Sequence, residues 1–227
     1  MSKITDNLVL VQQRISKALT DAGRAENDTQ LLAVSKTKPA EFIREAHAAG
    51  QRCFGENYLQ EAVEKQQQLA DLDIEWHYIG PIQSNKTRAI AEHFAWVHSV
   101  DRAKVARRLS EQRPDGLPPL NICLQVNVDK EESKSGVFLE DLPTLLSDIK
   151  DLPGIRIRGL MAIPAPTDDF EQQRQSFAKL HTALLELQAQ SPHMDTLSMG
   201  MSGDLEAAIA AGSTIVRIGT DIFGARS

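Results

Sequence analysis

Leu31-Leu32-Ala33-Val34-Ser35-Lys36, then Thr37-Lys38-Pro39, then Ala40 to Ala49 with Gly50 behind it, is the stretch from which the architecture can be read. Its first six residues form a short, mostly apolar run of strand length. Pro39 suits the first turn of a helix and Gly50 suits its end. The unit is strand, short loop, helix, stop. Lys36 ends the strand, and alternation places it on the face shared by Leu32 and Val34.

The same unit recurs to the end of the chain. Further strand-like runs cover residues 52–57, 74–80, 95–100, 121–128, 155–163, 196–201 and 214–220. Helical patterns over 59–69, 86–93, 140–150, 168–188 and 204–211 lie between them, with another helix opened by Asp101. Ser84 is placed to cap the helix over 86–93. Ahead of the first unit, Leu8, Val11, Ile15, Leu19 and Ala22 follow helical spacing, and Gly23 ends that run. Strands alternating with helices imply parallel strands joined by right-handed crossovers. Eight such steps, with strands too alike to mark an edge, predict an α/β protein: a (β/α)8 TIM barrel with an extra N-terminal helix. An open doubly wound sheet is the alternative. No linker, low-complexity tract or short repeat divides residues 1–227, so a single domain is expected.

The composition, 41% hydrophobic and 25% charged, is ordinary for a globular protein. A net charge of −6 argues against a nucleic-acid binder. The local basic group of Lys104, Arg107 and Arg108 reads as a solvated helix face. Cys53 and Cys123 lie in apolar runs, which fits a reducing compartment and not a disulfide framework. The chain start carries no apolar signal core. No apolar run approaches the ~20 residues that span a membrane. A cytoplasmic location follows as the expectation.

In barrels of this type the chemistry sits at the C-terminal ends of the strands. There the sequence places Lys36, Asn57, Gly80 with Gln83, Asn127, Met161, Met201-Ser202-Gly203-Asp204 and Arg217-Ile218-Gly219-Thr220. The loops after the last two strands commonly hold a phosphate. Ser202 offers a hydroxyl at a helix start. Gly219 lets backbone approach a ligand, and Thr220 adds a second hydroxyl. Plain capping by Ser202 and a packing role for Gly219 are the structural alternative. An unperturbed lysine has a pKa near ~10.4. Partial burial and a neighbouring cation such as Arg217 would lower it and make Lys36 a nucleophile for an aldehyde, the chemistry of a Schiff base. Arginine cannot give up its proton. Opposite a pyridine nitrogen, Arg217 donates a hydrogen bond without protonating the ring; a surface charge is its alternative. Phosphate cup, lysine and arginine together suit pyridoxal 5'-phosphate. Histidines 47, 77, 93, 98, 181 and 193 show no metal-ligand pattern, and no metal is expected. Nucleophile elbow, phosphate-binding P-loop and dinucleotide fingerprint are absent. Lys130, Glu131, Glu132 and Lys134 read as a solvated loop, with Lys134 near enough to the mouth to help a cofactor arrive or leave.

These residues resemble the YggS/PROSC family of pyridoxal phosphate homeostasis proteins. The motifs are Leu32-Ala33-Val34-Ser35-Lys36-Thr37-Lys38, Phe54-Gly55-Glu56-Asn57-Tyr58, Trp76-His77-Tyr78-Ile79-Gly80 with Gln83, Asn85 and Lys86, and Ser133-Lys134-Ser135-Gly136. Arg158-Gly159-Leu160-Met161, Leu197 to Ser202, and Gly212-Ser213 through Val216 to Thr220 with Phe223-Gly224 complete them, from end to end and in order. The resemblance implies one barrel similar to that of alanine racemase. It implies Lys36 as the Schiff-base lysine, Arg217 at the pyridine nitrogen, Ser202, Gly219 and Thr220 around the phosphate, and Asn57 along the ring. It further implies a monomer that acts in vitamin B6 balance and amino-acid pools. PLP-dependent apo-enzymes are candidate recipients, and no catalytic residue is assigned. A racemase or lyase is the other reading. Racemisation needs a second acid–base group, and the only tyrosines are Tyr58 and Tyr78.

Overall fold

The computed structural model describes residues 3–131 and 134–225. Glu132 and Ser133, and the end of the tail at Arg226 and Ser227, lie outside the described residues. The chain opens with helix α1 (Lys3–Asp21). The barrel follows as β1 (Gln30–Val34), α2 (Ala40–Ala48), β2 (Cys53–Glu56), α3 (Leu59–Gln68), β3 (Glu75–Tyr78), α4 (Thr87–His93), β4 (Trp96–Val100) and α5 (Ala103–Glu111). It continues with β5 (Leu120–Val126), a 3-10 turn at Leu139–Asp141, α6 (Leu142–Ile149), β6 (Ile155–Ala162), α7 (Phe170–Gln188), β7 (Thr196–Ser198), α8 (Leu205–Ala210), β8 (Ile215–Ile218) and α9 (Thr220–Phe223). The eight strands close in sequence order, all parallel. The register Leu31↔Val216 and Leu32↔Arg217 seals β1 to β8, which makes the sheet a (β/α)8 barrel and excludes the open alternative.

The period-two pattern of the strands divides the core. Leu31, Ala33, Val216 and Ile218 face outward and pack with Leu8, Val11, Ile43 and Ile209 of the surrounding helices. Helix α1 buries Ile4, Leu8, Val11, Ile15, Ala18 and Leu19 along one stripe and lies over α8, α9 and α2. The inside of such a barrel is usually filled by branched aliphatic side chains. Here it holds Leu32, Cys53 and Ile215 on one side and Trp96, Cys123 and Met161 on another. Between them lie His77, His98, Ser198 and Arg217, all buried. The His77 ring stacks on Trp96 at 5.4 Å between centroids, and the Arg158 guanidinium sits 4.7 Å from the Trp96 ring. Both cysteines are buried free thiols, and burial pushes each up to about 12.

Several strands stop earlier than the apolar runs imply. β1 ends at Val34, β7 at Ser198 and β8 at Ile218. The Ser35 N–H still donates to Gly55 O, but Thr37 then takes φ 61°, a left-handed conformation that ends any strand. Lys36 is therefore a loop residue, and strand alternation does not aim its side chain. Thr220 opens α9 instead of closing a strand. The expected caps at Ser84 and Asp101 are not formed. Lys86 and Arg102 occupy those cap positions without side-chain cap bonds, and Asp101 instead pairs with Arg102. Among the described residues no helix is long and apolar enough to cross a membrane.

Candidate functional site

The loop that carries Lys36 is pinned on both sides. Before it, the Ser35 hydroxyl donates to Glu56 Oε1 at 2.6 Å, and Lys65 Nζ donates to Ser35 O at 2.8 Å. After it, the Thr37 N–H donates to Glu61 Oε1 at 2.6 Å. Lys65, reaching from α3, also binds Glu56 at 2.7 Å and Glu61 at 2.5 Å. The Glu56 and Lys65 side chains are 0% and 6% exposed, so this is a buried ion pair under the lysine loop. Burial pushes the Glu56 carboxyl up, and the neighbouring Lys65 opposes that rise.

Two loops face Lys36 across the mouth. After β7, the Met201 N–H donates to Asp204 Oδ1 at 2.5 Å, and the Asp204 N–H returns to Met201 O at 3.2 Å. This closes a turn over Met201–Asp204, with α8 starting only at Leu205. Ser202 thus belongs to a turn and not to a helix start, which corrects the sequence reading: Asp204 takes the cap position. After β8, Gly219 passes close to β1. A Cβ there would stand 3.1 Å from Val34 O and 3.3 Å from Val34 Cβ, so glycine here serves strand packing at the least. One side chain ties the two loops together. Arg14 of α1 donates to Ser202 O at 3.1 Å, to Asp221 Oδ2 at 2.8 Å and to both Glu206 carboxylate oxygens at 3.0 Å.

Arg217 points into the barrel and is 4% exposed. Its Nη1 donates to Ser198 O at 2.6 Å and to Ser198 Oγ at 2.8 Å, and its Nη2 donates to Ala162 O at 3.1 Å. A guanidinium has five N–H donors, so these three bonds leave donors for a ligand. Burial pulls Arg217 down to about 10, with Asp204 opposing, and it remains a cation at neutral pH. Asn57 follows β2. Its backbone oxygen occupies the place a side chain on Gly80 would need, 2.1 Å from a Cβ built there. The Asn57 Oδ1 is buried and has no hydrogen-bond partner.

Lys36, Asn57, Met201, Ser202, Arg217, Gly219 and Thr220 line one cavity of about 290 Å³, with Val34, Ile79 and Met161 as apolar wall. All seven residues read from the sequence therefore come together. Lys134 does not line this cavity. It borders two adjoining ones and pairs with Glu131 at 2.7 Å. Gly80 and Asn127 belong to the first of these. Neither tyrosine lines the central cavity: Tyr58 is exposed, and the Tyr78 hydroxyl donates to Pro81 O at 3.0 Å. The cavity brings together a lysine, hydroxyls on two loops, a buried cation and an unpartnered amide oxygen. Those groups fit a small anionic ligand with an aldehyde and a ring nitrogen, and pyridoxal phosphate is such a ligand.

Linear spacing hid three features. Arg14 is 188 residues from Ser202. The histidines that look unrelated in sequence meet inside the barrel, where His77 Nδ1 lies 2.9 Å from His98 Nε2. Cys53, Glu75 and His77 place ligand atoms within 4.8 Å of one another, a metal-like grouping that the histidine pattern did not suggest. Hydrogen bonds join the three through Glu75: Cys53 Sγ donates to Glu75 Oε1 at 3.6 Å, and His77 Nε2 lies 2.9 Å from the same oxygen.

The chain belongs to the alanine racemase N-terminal domain family, whose profile matches residues 7–227. Within that class it is 64% identical over 226 residues to the pyridoxal phosphate homeostasis protein of Pseudomonas aeruginosa, covering 100% of this chain and 97% of that one. PipY of Synechococcus elongatus, solved with PLP bound, superimposes with a TM-score of 0.81 at 42% identity over 92% of this chain and 100% of that one. Its structure without PLP gives 0.86 at 40%, over 97% and 100%. Alanine racemase from Corynebacterium glutamicum shares the fold at 18% identity, with a TM-score of 0.73 over 98% of this chain and 61% of the racemase.

Proposed function

We propose that this chain is a single-domain, monomeric, cytoplasmic protein that binds pyridoxal phosphate and holds it for the cell's balance of that cofactor, without turnover of its own. The observation that carries the reading is the convergence of Lys36, the buried Arg217 and the Met201–Asp204 and Gly219-Thr220 loops on one cavity. Met201, Ser202, Gly219 and Thr220 would take the phosphate, and Arg14 would keep their two loops in register. Arg217 would donate to the ring nitrogen, Asn57 would lie along the ring, and Lys36 would be the covalent anchor. Bound there, the cofactor supplies an aldehyde carbon that condenses with an amine and a ring that delocalises charge. The naming of the Pseudomonas aeruginosa relative and the PLP-bound PipY structure support this assignment.

Two features favour holding over turnover. A guanidinium hydrogen-bonds a pyridine nitrogen without giving it a proton, which keeps the ring a weak electron sink. Racemising an amino acid needs acid–base groups on both faces of the substrate. Among the described residues, Lys36 lines the cavity and no tyrosine does. PLP-dependent apo-enzymes are the proposed recipients of the held cofactor.

Titration with pyridoxal phosphate tests the reading. The expected result is a visible absorption band in the intact protein that is lost in Lys36→Ala. Arg217→Ala and Ser202→Ala should weaken retention. A band unchanged in Lys36→Ala removes the proposed anchor, and Lys36-dependent turnover of any member of an amino-acid panel overturns the holding role in favour of a racemase or lyase.

A further inference from the structure

A continuous line of hydrogen bonds runs through the barrel from its N-terminal rim to Arg217. Glu75, the first residue of β3, has a side chain 43% exposed at that rim. Its Oε1 lies 2.9 Å from His77 Nε2. His77 Nδ1 lies 2.9 Å from His98 Nε2, and His98 Nδ1 lies 2.7 Å from Ser198 Oγ. Ser198 Oγ receives Arg217 Nη1 at 2.8 Å. The two rings are buried completely.

The ends of this line fix where every proton sits. Arginine can only donate. Ser198 Oγ therefore accepts from Arg217, and its own hydrogen turns to His98 Nδ1, its remaining hydrogen-bond neighbour here. At the other end, His77 holds the Glu75 carboxyl below its usual range, so Glu75 accepts and His77 Nε2 carries the hydrogen. Burial pushes both rings below the usual histidine value, His98 well below, so each is neutral and has one N–H. His77 Nδ1 then accepts from His98 Nε2, which again leaves His98 Nδ1 as an acceptor. Read from either end, the order is the same: Arg217 to Ser198 to His98 to His77 to Glu75, every donor pointing away from the cation. Each acceptor end is thus turned toward the guanidinium.

We infer that Glu75, His77, His98 and Ser198 are positioning residues that orient the Arg217 guanidinium toward the mouth cavity through this one-way hydrogen-bond line. The inference rests on the proposed reading of that cavity as a pyridoxal phosphate site. Ser198 holds Nη1 with both its carbonyl and its hydroxyl, while Ala162 O holds Nη2. The group is locked in plane, and its remaining donors serve the ligand. Glu75 takes part without touching the cavity, because it lies at the other end of the line.

Two measurements test this. Histidine nitrogen NMR of the unaltered protein should show His77 and His98 both neutral, protonated at Nε2 and bare at Nδ1. Either ring protonated at Nδ1 overturns the order. The second measurement loads the protein with pyridoxal phosphate labelled at the ring nitrogen. Ser198→Ala should shift that resonance and weaken cofactor retention about tenfold, the scale of one hydrogen bond to a charged group. Ser198→Thr keeps the hydroxyl and should preserve both. Glu75→Gln, remote from the ligand, should shift the resonance in the same sense by less. If Arg217→Ala shifts the resonance while Ser198→Ala and Glu75→Gln do not, the positioning line is wrong and the site reading stands. If Arg217→Ala leaves it unmoved, the site reading fails, and the histidine tautomers still decide the proton order.

Discussion

Replacing Lys65 with methionine isolates the ion pair beneath the Lys36 loop. In the native chain Lys65 Nζ meets Glu56, Glu61 and Ser35 O within 2.5–2.8 Å. Without it, the fully buried Glu56 carboxylate keeps only the Ser35 hydroxyl, and its Oε2 already has no partner. Breaking a buried pair from one side costs ~3–5 kcal/mol because a charge is left uncompensated. For a chain of this length ~1 kcal/mol is worth ~2–4 °C, so the midpoint should fall by ~6–20 °C. The sign of the pH effect follows from Glu56. Its folded pKa already lies above the ordinary value, and losing Lys65 raises it further. The folded variant then binds more protons than its unfolded chain, so acidification from neutral pH restores part of the loss relative to the native protein. Glu56→Leu combined with Lys65→Met removes both charges and should recover most of the stability. Urea unfolding followed by tryptophan fluorescence at two pH values measures the loss, its pH dependence and the recovery, and a thermal melt measures the midpoint. A loss under ~1 kcal/mol, the scale of an exposed pair, together with no recovery in the double variant, would refute the buried-pair reasoning.

Arg14→Ala should separate cofactor retention from stability. Its ion pairs are partly exposed, at 38% for Arg14, and such contacts are worth ~0–1 kcal/mol each, so unfolding should change little while pyridoxal phosphate retention falls severalfold. Large destabilisation with unchanged retention in a titration would contradict a clamp role. Acid should weaken the fold through the barrel histidines. Both have folded pKa values below the unfolded one, so the unfolded chain binds more protons as pH falls through ~6.5, and each ring can add up to ~1.4 kcal/mol of loss per pH unit. Glu56, with its raised value, opposes this at lower pH. An NMR titration of the folded protein should find both rings titrating below the free-histidine value, His98 further below than His77; rings that titrate at or above that value would remove the effect.

The barrel was legible because each strand run is followed by its own helical pattern and stop, and the count reaches eight before the chain ends. The mouth residues were legible for the same reason: residues at or just past the C-terminal ends of the strands meet at one rim, so Lys36, Asn57 and Arg217 could be grouped without knowing any contact. Strand ends were less so. Ser35-Lys36 and Met199 to Met201 continue apolar or small runs, whereas the ladder stops where Thr37 turns left-handed and where Asp204 folds back on Met201. Strand alternation therefore does not set the direction of Lys36, which lies in the loop past Val34. Arg14 and Lys65 escaped notice, and Asp204 was named only as part of its stretch, because their tasks depend on neighbours brought together by closure or by a helix face. His77 and His98 did leave a trace: each is a titratable residue inside a strand run, which in a filled barrel demands a buried partner.

Helix α1 has a consequence for how the protein is made. Its Asn7 amide donates to Ile222 O, 215 residues downstream, and Arg14 waits for Ser202 and Asp221. This helix leaves the ribosome before the eight barrel strands, yet much of its apolar stripe is covered by α8 and α9, which emerge after β7 and β8. Contacts so distant in sequence form slowly, and uncovered apolar surface on a growing chain is where chaperones act. A segment made ahead of every strand is thus fastened only late, and a nascent chain acquires a closed mouth only after β8 and α9 have followed it out.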